Sequence, residues 1–164
     1  MPTQVLPAAQ ALHSPTSQPL RFLNAYWQLW QALAARAEVR LSQRHGLDLR
    51  AFMALGYLQG GVSSPGELAV QLGLPRYVIT RTLDALSRLE AVQRVTDDQD
   101  ARRQRVNVTP AGRSLWEAAL QTTVTVCEGP LSALGPRLDI LTALLEELGG
   151  AASGTLSHLQ EQTP

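Results

Sequence analysis

The segment from residue 64 to residue 90 constrains the fold more than any other part of the chain. Ser64-Pro65-Gly66-Glu67 is a capping box with proline at the first helical position, and it predicts a short helix through Leu72. Gly73 ends this helix, and an apolar stripe after Leu74-Pro75 predicts a second helix that ends at about Glu90. Two short helices joined by a tight turn are therefore expected in the middle of the chain.

Three residues in this segment have the spacing of a helix-turn-helix. That motif needs a small residue where the two helices cross, a glycine able to take a positive φ in the turn, and a buried β-branched or similar apolar residue on the second helix. Ala69, Gly73 and Ile79 meet these demands at successive offsets of four and six residues. This spacing makes DNA binding a stronger expectation, because the helix-turn-helix is a DNA-binding motif.

The residues that follow change from a helical period to a strand period. Residues 92–96 and 104–109 read as strands, with Val106 and Val108 alternating with polar residues, and the loop between them is charged. A charged two-stranded ribbon directly after a helix-turn-helix makes a winged helix-turn-helix. We therefore predict a mainly α fold with a two-stranded β wing.

Apolar residues at helical spacing predict the helices on either side of this unit. Asp48 is expected to cap the second helix, and Thr109-Pro110 to open the fifth. Gly129-Pro130 ends or kinks the fifth helix, Pro136 opens the sixth, and Gly149-Gly150 is expected to close it. The predicted helices run from 20 to 45, from the cap at Asp48 to 59, from 110 to an end or kink at Gly129-Pro130, and from 136 to 148.

The chain shows no internal repeat and no shift of composition, so we expect a single domain over residues 20–148. Residues 1–19 contain four prolines and no charged side chain, which predicts a flexible tail rather than a signal peptide. Residues 149–164 are expected to form a tail or a frayed helix. The apolar runs are too short for a membrane helix, which needs about 20 residues.

All fourteen basic residues are arginine, and this excludes several classes of enzyme. Without lysine there is no Walker-type phosphate loop, no Schiff-base chemistry and no kinase ATP site. His13, His45 and His158 have neither metal-ligand spacing nor a triad-like arrangement with a nucleophile. We therefore predict no enzymatic activity, no metal and no cofactor.

Cys127 is the single cysteine, so the chain forms no internal disulfide, and we expect a cytoplasmic protein. An oxidant sensor needs an exposed thiol of low pKa, and no basic residue neighbours Cys127 in the sequence. Two interpretations remain open for this residue, a buried structural thiol and a thiol-based oxidant sensor.

The formal charge of zero hides a segregation of charge along the chain. Residues 73–113 hold eight arginines against five acids, whereas residues 114–164 hold one arginine against six acids. A polyanion responds to the local field rather than to the total, so a neutral chain binds DNA when its arginines converge on one face. The alternative is that these arginines form solvated pairs with neighbouring acids such as Asp84.

Two stretches of the sequence resemble the MarR family of bacterial transcription regulators. The first is Thr80-Arg81-Thr82-Leu83-Asp84-Ala85-Leu86 on the fourth helix. The second is Asp100-Ala101-Arg102, followed by Val106-Asn107-Val108-Thr109-Pro110-Ala111-Gly112. The resemblance extends from about residue 20 to residue 148, and Ala91 departs from it because a glycine is usual before the first wing strand.

The resemblance implies a homodimer that binds double-stranded DNA, formed through helices at about 20–45 and 110–148, with the winged helix-turn-helix at about 47–109. The fourth helix would enter the major groove, and Arg102, oriented by Asp100, would reach the minor groove. Replacing Arg102 with alanine would then weaken operator binding and lower its salt dependence. The DNA-contacting residues implied are Ser64, Pro75, Arg76, Tyr77, Thr80, Arg81, Asp100, Arg102, Arg103 and Arg105.

Four of the eight aromatic residues fall within nine residues of the first helix. One interpretation is a pocket for a small aromatic or phenolic effector near the first, second and fifth helices. The other is the core of the dimer. The residues of the first interpretation are Tyr26, Trp27, Trp30, Phe52 and Trp116.

Our hypothesis is a ligand-responsive repressor that binds a pseudo-palindromic operator as a homodimer. Release of DNA then requires the ligand to bind the DNA-incompetent arrangement more tightly. The rival hypotheses are a winged-helix module that binds protein without DNA and the oxidant sensor that uses Cys127.

Overall fold

The computed structural model describes residues 17–96 and 104–161, with the side chains of Thr96 and residues 153–161 excepted. The wing tip and most of the predicted N-terminal tail lie outside the described residues. Within them the order is four helices, a hairpin and two helices, as predicted. The elements are α1 Gln18–His45, α2 Leu49–Gln59, α3 Pro65–Leu72, α4 Arg76–Arg88, β1 Val92–Thr96, β2 Gln104–Val108, α5 Pro110–Ser132 and α6 Arg137–Glu161.

The helix boundaries of the first half follow from their capping residues. The Ala51 amide donates to Asp48 Oδ1 over 2.6 Å, which fixes the start of α2. The Glu67 amide donates to the Ser64 hydroxyl, and the Glu67 carboxylate accepts from the Ser64 amide, so the predicted capping box is confirmed. Gly73 ends α3 with φ of 61°, in the left-handed region that favours glycine.

The wing is an antiparallel hairpin that is tied to the helix-turn-helix. Val92 pairs with Val108 at its base, and Thr96 pairs with Gln104 at the last described rung. The Val106 amide donates to the Ser63 carbonyl over 2.8 Å, which fastens β2 to the residues just before α3. Because Val106 is also buried, the hairpin is held to the core on one face and is open to solvent on the other.

The core is centred on the winged unit, where α2, α3, α4 and the hairpin meet, and it extends to Ala37 and Leu41 of α1 and Ala119 of α5. Its fully buried side chains include Leu55, Leu68, Ile79, Leu83 and Leu86, and no described buried side-chain polar atom lacks a hydrogen bond. Each side chain of this size contributes about 1.5–3 kcal/mol of transfer free energy. The winged unit thus has a buried core formed within a single chain.

The join between the hairpin and α5 explains the Thr109-x-x-Gly112 pattern. The Thr109 hydroxyl donates to the Glu90 carbonyl over 2.7 Å and accepts from the Gly112 amide over 2.9 Å. A Cβ on Gly112 would overlap the backbone carbonyl of Ala91, so only glycine fits at this close approach. At Ala91, where the resemblance expects a glycine, the backbone does not take a positive φ; the preceding Glu90 does, with φ of 55°.

Two predicted helix ends differ from the structure. Of the two alternatives for Gly129-Pro130, an end or a kink of α5, the structure excludes the end, because α5 continues through Pro130 to Ser132. The helix α6 runs through Gly149-Gly150 to Glu161, so the predicted stop there is wrong. Glycine lowers helix stability by about 1 kcal/mol but does not by itself end a helix.

The N-terminal half of α1 and the helix α6 leave large apolar side chains exposed. On α6, Ile140 is 62% exposed, and Leu144 and Leu148 are each 52% exposed. On α1 the C-terminal half packs against α5 through the buried Ala37 and Leu41. The exposed apolar residues of the N-terminal half of α1 are Leu20, Phe22, Leu23, Tyr26, Trp27, Leu29 and Trp30. No helix among the described residues is long and apolar enough to cross a membrane.

Candidate nucleic-acid interface

The helix α4 presents one polar face to solvent because its other face is held in the core. Ile79, Leu83 and Leu86 are buried, which fixes the rotation of the helix about its axis. The residues predicted to contact DNA from this helix are all exposed, and Tyr77 is 66% exposed. These residues are Arg76, Tyr77, Thr80 and Arg81.

The N-terminus of α4 is open to an anion. Pro75 occupies the N-cap position with extended backbone, and no side chain caps the helix. The amides of the first turn then point out of the helix end, where the helix dipole also favours negative charge. Since Arg76 is exposed in this same turn, the start of α4 combines backbone donors with a guanidinium group.

An ion pair joins the wing to α4. Arg94 Nη2 on β1 lies 2.6 Å from Asp84 Oδ1, and the same nitrogen donates to the Thr80 carbonyl over 3.3 Å. The pair places a positive group beside the one acid on the exposed face of α4. This confirms for Arg94 the alternative of a solvated pair, and the pair joins β1 of the wing to α4.

The N-terminus of α3 holds a carboxylate of its own. Glu67 accepts hydrogen bonds from the amides of Ser63 and Ser64, each 3.2 Å long. These two bonds, then the Ser64 hydroxyl and the nearby charge of Arg105, hold the pKa of Glu67 below its ordinary value. The amides of Ser63 and Ser64 are therefore already bonded to Glu67 and are not free for a phosphate. The contact of Ser64 with DNA stays a prediction.

The predicted wing contacts are only partly described. Asp100, Arg102 and Arg103 lie outside the described residues. Arg105 is exposed on β2, opposite Val95 of β1. The structure therefore brings Arg105 and the α4 residues into one winged unit, and the role of the wing tip stays a prediction.

The predicted effector residues separate into two groups. Phe52 and Trp116 line one cavity of about 470 Å³ between α2 and α5, together with Met53 and Tyr57. A Cβ on Gly56 would lie 3.1 Å from Trp116 Nε1, so this glycine makes room for the indole. The other predicted effector residues do not line that cavity and are exposed on the N-terminal half of α1. They are Tyr26, Trp27 and Trp30.

Cys127 is half-buried on α5. No group of three or more histidine, cysteine or acidic side chains that suits a metal ion occurs among the described residues. His45 instead bonds to Thr122 in the seam between α1 and α5, over 2.8 Å.

Sequence reasoning found one structural contact of this interface only as an alternative, and it missed another. The pairing of an arginine such as Arg94 with Asp84 was the alternative to DNA binding, and these two residues are ten apart in the chain. The contact of Gly112 with the Ala91 carbonyl also depends on tertiary packing. The Thr-x-x-Gly spacing was the available signal for that contact, but spacing alone does not identify the neighbour.

Comparison with known proteins supports the resemblance found in the sequence. Residues 45–103 match the sequence model of the MarR family, a span that holds α2, α3, α4 and β1. No curated protein matches the chain. The structure is similar to solved MarR-type regulators, so the chain has the fold of the MarR-family transcriptional regulators.

Three solved structures illustrate the likeness. The transcriptional regulator BldR from Sulfolobus solfataricus is 22% identical, with a TM-score of 0.72 over 84% of this chain and 99% of that chain. A MarR variant from E. coli complexed with operator DNA is 22% identical, with a TM-score of 0.66 over 80% and 94%. Bordetella bronchiseptica BpsR, whose DNA binding is regulated by 6-hydroxynicotinic acid, is 18% identical, with a TM-score of 0.66 over 84% and 96%.

Proposed function

We propose that this chain, a winged-helix protein of the MarR type, is a repressor that binds a pseudo-palindromic DNA operator as a homodimer. The observation that carries the proposal is the exposed face of α4, with Arg76 and Arg81, beside a wing that Arg94 fixes to the same helix. Arginine forms bidentate bonds with guanine in the major groove, and the open helix end suits a phosphate. The E. coli MarR variant supports this use of the fold, since its structure contains operator DNA.

The exposed apolar residues support the homodimer. Trp27 and Trp30 on α1 and Ile140 on α6 belong to a set of large side chains that the described chain leaves in solvent. An apolar surface of this kind marks an interface. Because two half-sites of an operator are read by two copies of α4, a dimer is also what the DNA geometry requires.

The cavity beside Trp116 supports regulation by a small aromatic or phenolic ligand. Its lining includes Phe52, Tyr57 and Trp116, with few polar groups, as ligand cavities usually have. It lies between α2 of the winged unit and α5, so a ligand there would change how the two recognition helices are held. BpsR is an example of this fold whose DNA binding responds to a small aromatic acid.

The proposed activity is binding rather than catalysis, and it needs no cofactor or metal. We assign the protein to the cytoplasm because its proposed partner is the chromosome.

The test is binding to the intergenic DNA upstream of the gene that encodes the chain, measured by fluorescence anisotropy at several salt concentrations. Arg81→Ala should weaken specific binding by about 10-fold or more, because a bidentate base contact is worth about 1–3 kcal/mol. Arg40→Ala is the matched control, since it removes the same charge from an exposed position on the C-terminal half of α1, away from α4, from the wing and from the exposed apolar residues of the N-terminal half. Equal binding by wild type and Arg81→Ala at every salt concentration would contradict the proposal.

A second arm of the same experiment adds phenolic acids to the complex with DNA. Release from the wild type, and weaker release from Trp116→Leu, is the result that the cavity predicts. Equal release from both proteins would place the effector elsewhere.

A further inference from the structure

A cavity of about 400 Å³ lies between the start of α2 and the helix α4. Arg50 lines it from α2, and Tyr77 and Arg81 line it from α4. All three side chains are exposed, so the cavity opens to solvent. Arg50 is not among the residues that the resemblance implies for DNA contact, and the cavity brings it next to two that are.

The rim of this cavity is positively charged on balance. It holds the guanidinium groups of Arg50 and Arg81 and one carboxylate, that of Asp48. The carboxylate accepts from the Ala51 amide over 2.6 Å, so it is engaged in capping α2. Neither arginine forms an ion pair with an acid among the described residues. The two guanidinium groups are therefore available to an anion.

The cavity and the wing border opposite edges of the exposed face of α4. Successive residues of a helix are rotated by about 100°, so Thr80 and Arg81 lie toward different edges of that face. On the edge of Thr80, Arg94 of the wing donates to the Thr80 carbonyl and pairs with Asp84. On the edge of Arg81 lies the cavity with Arg50. The exposed face of α4 is thus flanked by the wing on one side and by the start of α2 on the other.

The dimensions of DNA place a phosphate strand at each flank. A helix with its side chains is about 10–12 Å across, and the major groove is about 12 Å wide. A helix in the groove therefore fills its width, and the elements beside the helix lie over the two sugar-phosphate strands. The wing then covers one strand, and the other strand meets Arg50.

We propose that the cavity between α2 and α4 seats a backbone phosphate of the DNA, held by Arg50, while Arg81 reaches past it to a base edge. This rests on the proposed function and adds a residue of α2 to the DNA-contacting surface. Arg50 suits a phosphate rather than a base because it belongs to the helix beside α4 and not to α4 itself. Its paired N–H donors match two phosphate oxygens, and such a contact fixes the register of the protein without reading sequence.

The experiment compares Arg50→Ala with the wild type on the upstream intergenic DNA and on a scrambled duplex of equal length. Fluorescence anisotropy at several salt concentrations gives the slope of log affinity against log salt. Each phosphate contact contributes about 0.9 to this slope, and a dimer makes the contact twice, so the slope should fall by about 1.8. At about 0.15 M salt this corresponds to a loss of about 30-fold in affinity. The loss should be equal on both duplexes, because a phosphate carries no sequence information.

Two further variants control for charge and for folding. Arg40→Ala removes the same charge from an exposed position on α1 outside this cavity, and its slope should change much less. Arg50→Lys keeps the charge and should recover most of the slope. Circular dichroism and thermal unfolding check each variant, and Arg50→Gln replaces Arg50→Ala if the latter does not fold.

Duplexes with one neutral methylphosphonate locate the phosphate. At one position on the edge of the major groove, the wild type should lose about 5-fold in affinity, whereas Arg50→Ala should lose nothing further. Arg81→Ala should lose as much as the wild type at that position, because its missing contact is to a base. Losses by Arg50→Ala that equal those of the wild type at every position would contradict the phosphate contact.

Other results would also overturn the inference. Equal slopes for the wild type and Arg50→Ala would show that Arg50 holds no phosphate. A loss confined to the intergenic DNA would show that Arg50 reads a base. Unchanged DNA binding, together with a rise in thermal stability on addition of inorganic phosphate that Arg50→Ala abolishes, would assign the cavity to a free anion.

These outcomes are distinct from failure of the proposed function. A wild type that binds both duplexes equally, with a slope that falls in Arg50→Ala, contradicts the operator and supports the phosphate contact. A wild type that selects the intergenic DNA, with a slope that Arg50→Ala leaves unchanged, does the opposite.

Discussion

The winged unit and the outer helices use similar apolar residues with opposite results. In the winged unit, Leu55, Leu68 and Ile79 are fully buried by neighbours from the same chain. In the outer helices, Trp27 and Leu144 remain about half exposed. The difference shows that the apolar residues of one region are packed within a single chain, whereas those of the other stay exposed, as the proposed homodimer requires.

The charged residues of the winged unit and of the outer helices differ in the same way. In the winged unit, Arg94 of β1 is paired with Asp84 of α4, so both charges of this ion pair come from one chain. In the outer region, Arg40 and Glu147 lie on different helices and have no ion pair among the described residues. Stability of the first region is therefore expected to be independent of protein concentration, and that of the second to depend on it.

The largest effect is expected where the winged unit is tightest. In Gly112→Ala the new Cβ would overlap the Ala91 carbonyl, and the atoms it meets are backbone, so the two segments must move apart. We expect a loss of about 2–3 kcal/mol in the free energy of unfolding, typical of overpacking. Urea denaturation at several protein concentrations measures it.

Gly129→Ala is the matched control in the outer region. A Cβ on Gly129 meets nothing within 4 Å, and the residue lies inside α5, so alanine should stabilise the helix by up to about 1 kcal/mol. Similar unfolding midpoints for the two variants would remove the contrast between a packed glycine and an open one.

Local signals predicted the winged unit well because its boundaries are set by neighbouring residues. The capping box at Ser64, the N-cap Asp48 and the left-handed Gly73 each act within one turn of helix. The alternation around Val106 likewise fixed which face of β2 is buried. These features need no knowledge of distant parts of the chain.

The predictions that differ from the structure concern features that depend on tertiary context. The helix α6 passes through Gly149-Gly150, and α5 passes through Pro130, because a breaking residue has an energetic cost that neighbouring helical residues can exceed. The sequence also does not show that the predicted effector residues separate into two groups, with Trp116 lining a cavity and Trp30 exposed to solvent. The assignment of α4 residues to DNA stays a prediction.

The second-largest effect is expected at the Arg94–Asp84 ion pair, which joins the wing to α4. Arg94→Ala removes the partner of Asp84 and leaves an uncompensated carboxylate on the exposed face of α4. Because both side chains are partly exposed, the stability loss should be only about 0.5 kcal/mol. DNA affinity should nevertheless fall about 3- to 10-fold, since a negative charge then faces the phosphates.

The double variant Arg94→Ala/Asp84→Asn separates charge from geometry. If the unmasked carboxylate is the cause, the second substitution should restore most of the affinity in anisotropy titrations. Unrestored affinity would instead mean that the wing has lost its position.

The smallest effect is a pH dependence at the start of α3. The pKa of Glu67 is lowered because its carboxylate accepts from the Ser63 and Ser64 amides, so the charged form stabilises the folded state. That contribution is present above the ordinary value of 4.5 and is lost as pH falls through the lowered pKa. Glu67→Gln should therefore be slightly less stable than wild type at pH 7, and the difference should vanish on acidification. Thermal unfolding from pH 7 to pH 3 measures this, with the exposed Glu117→Gln on α5 as control. A difference between Glu67→Gln and wild type that stays constant over this range would show that the capping box works without its charge.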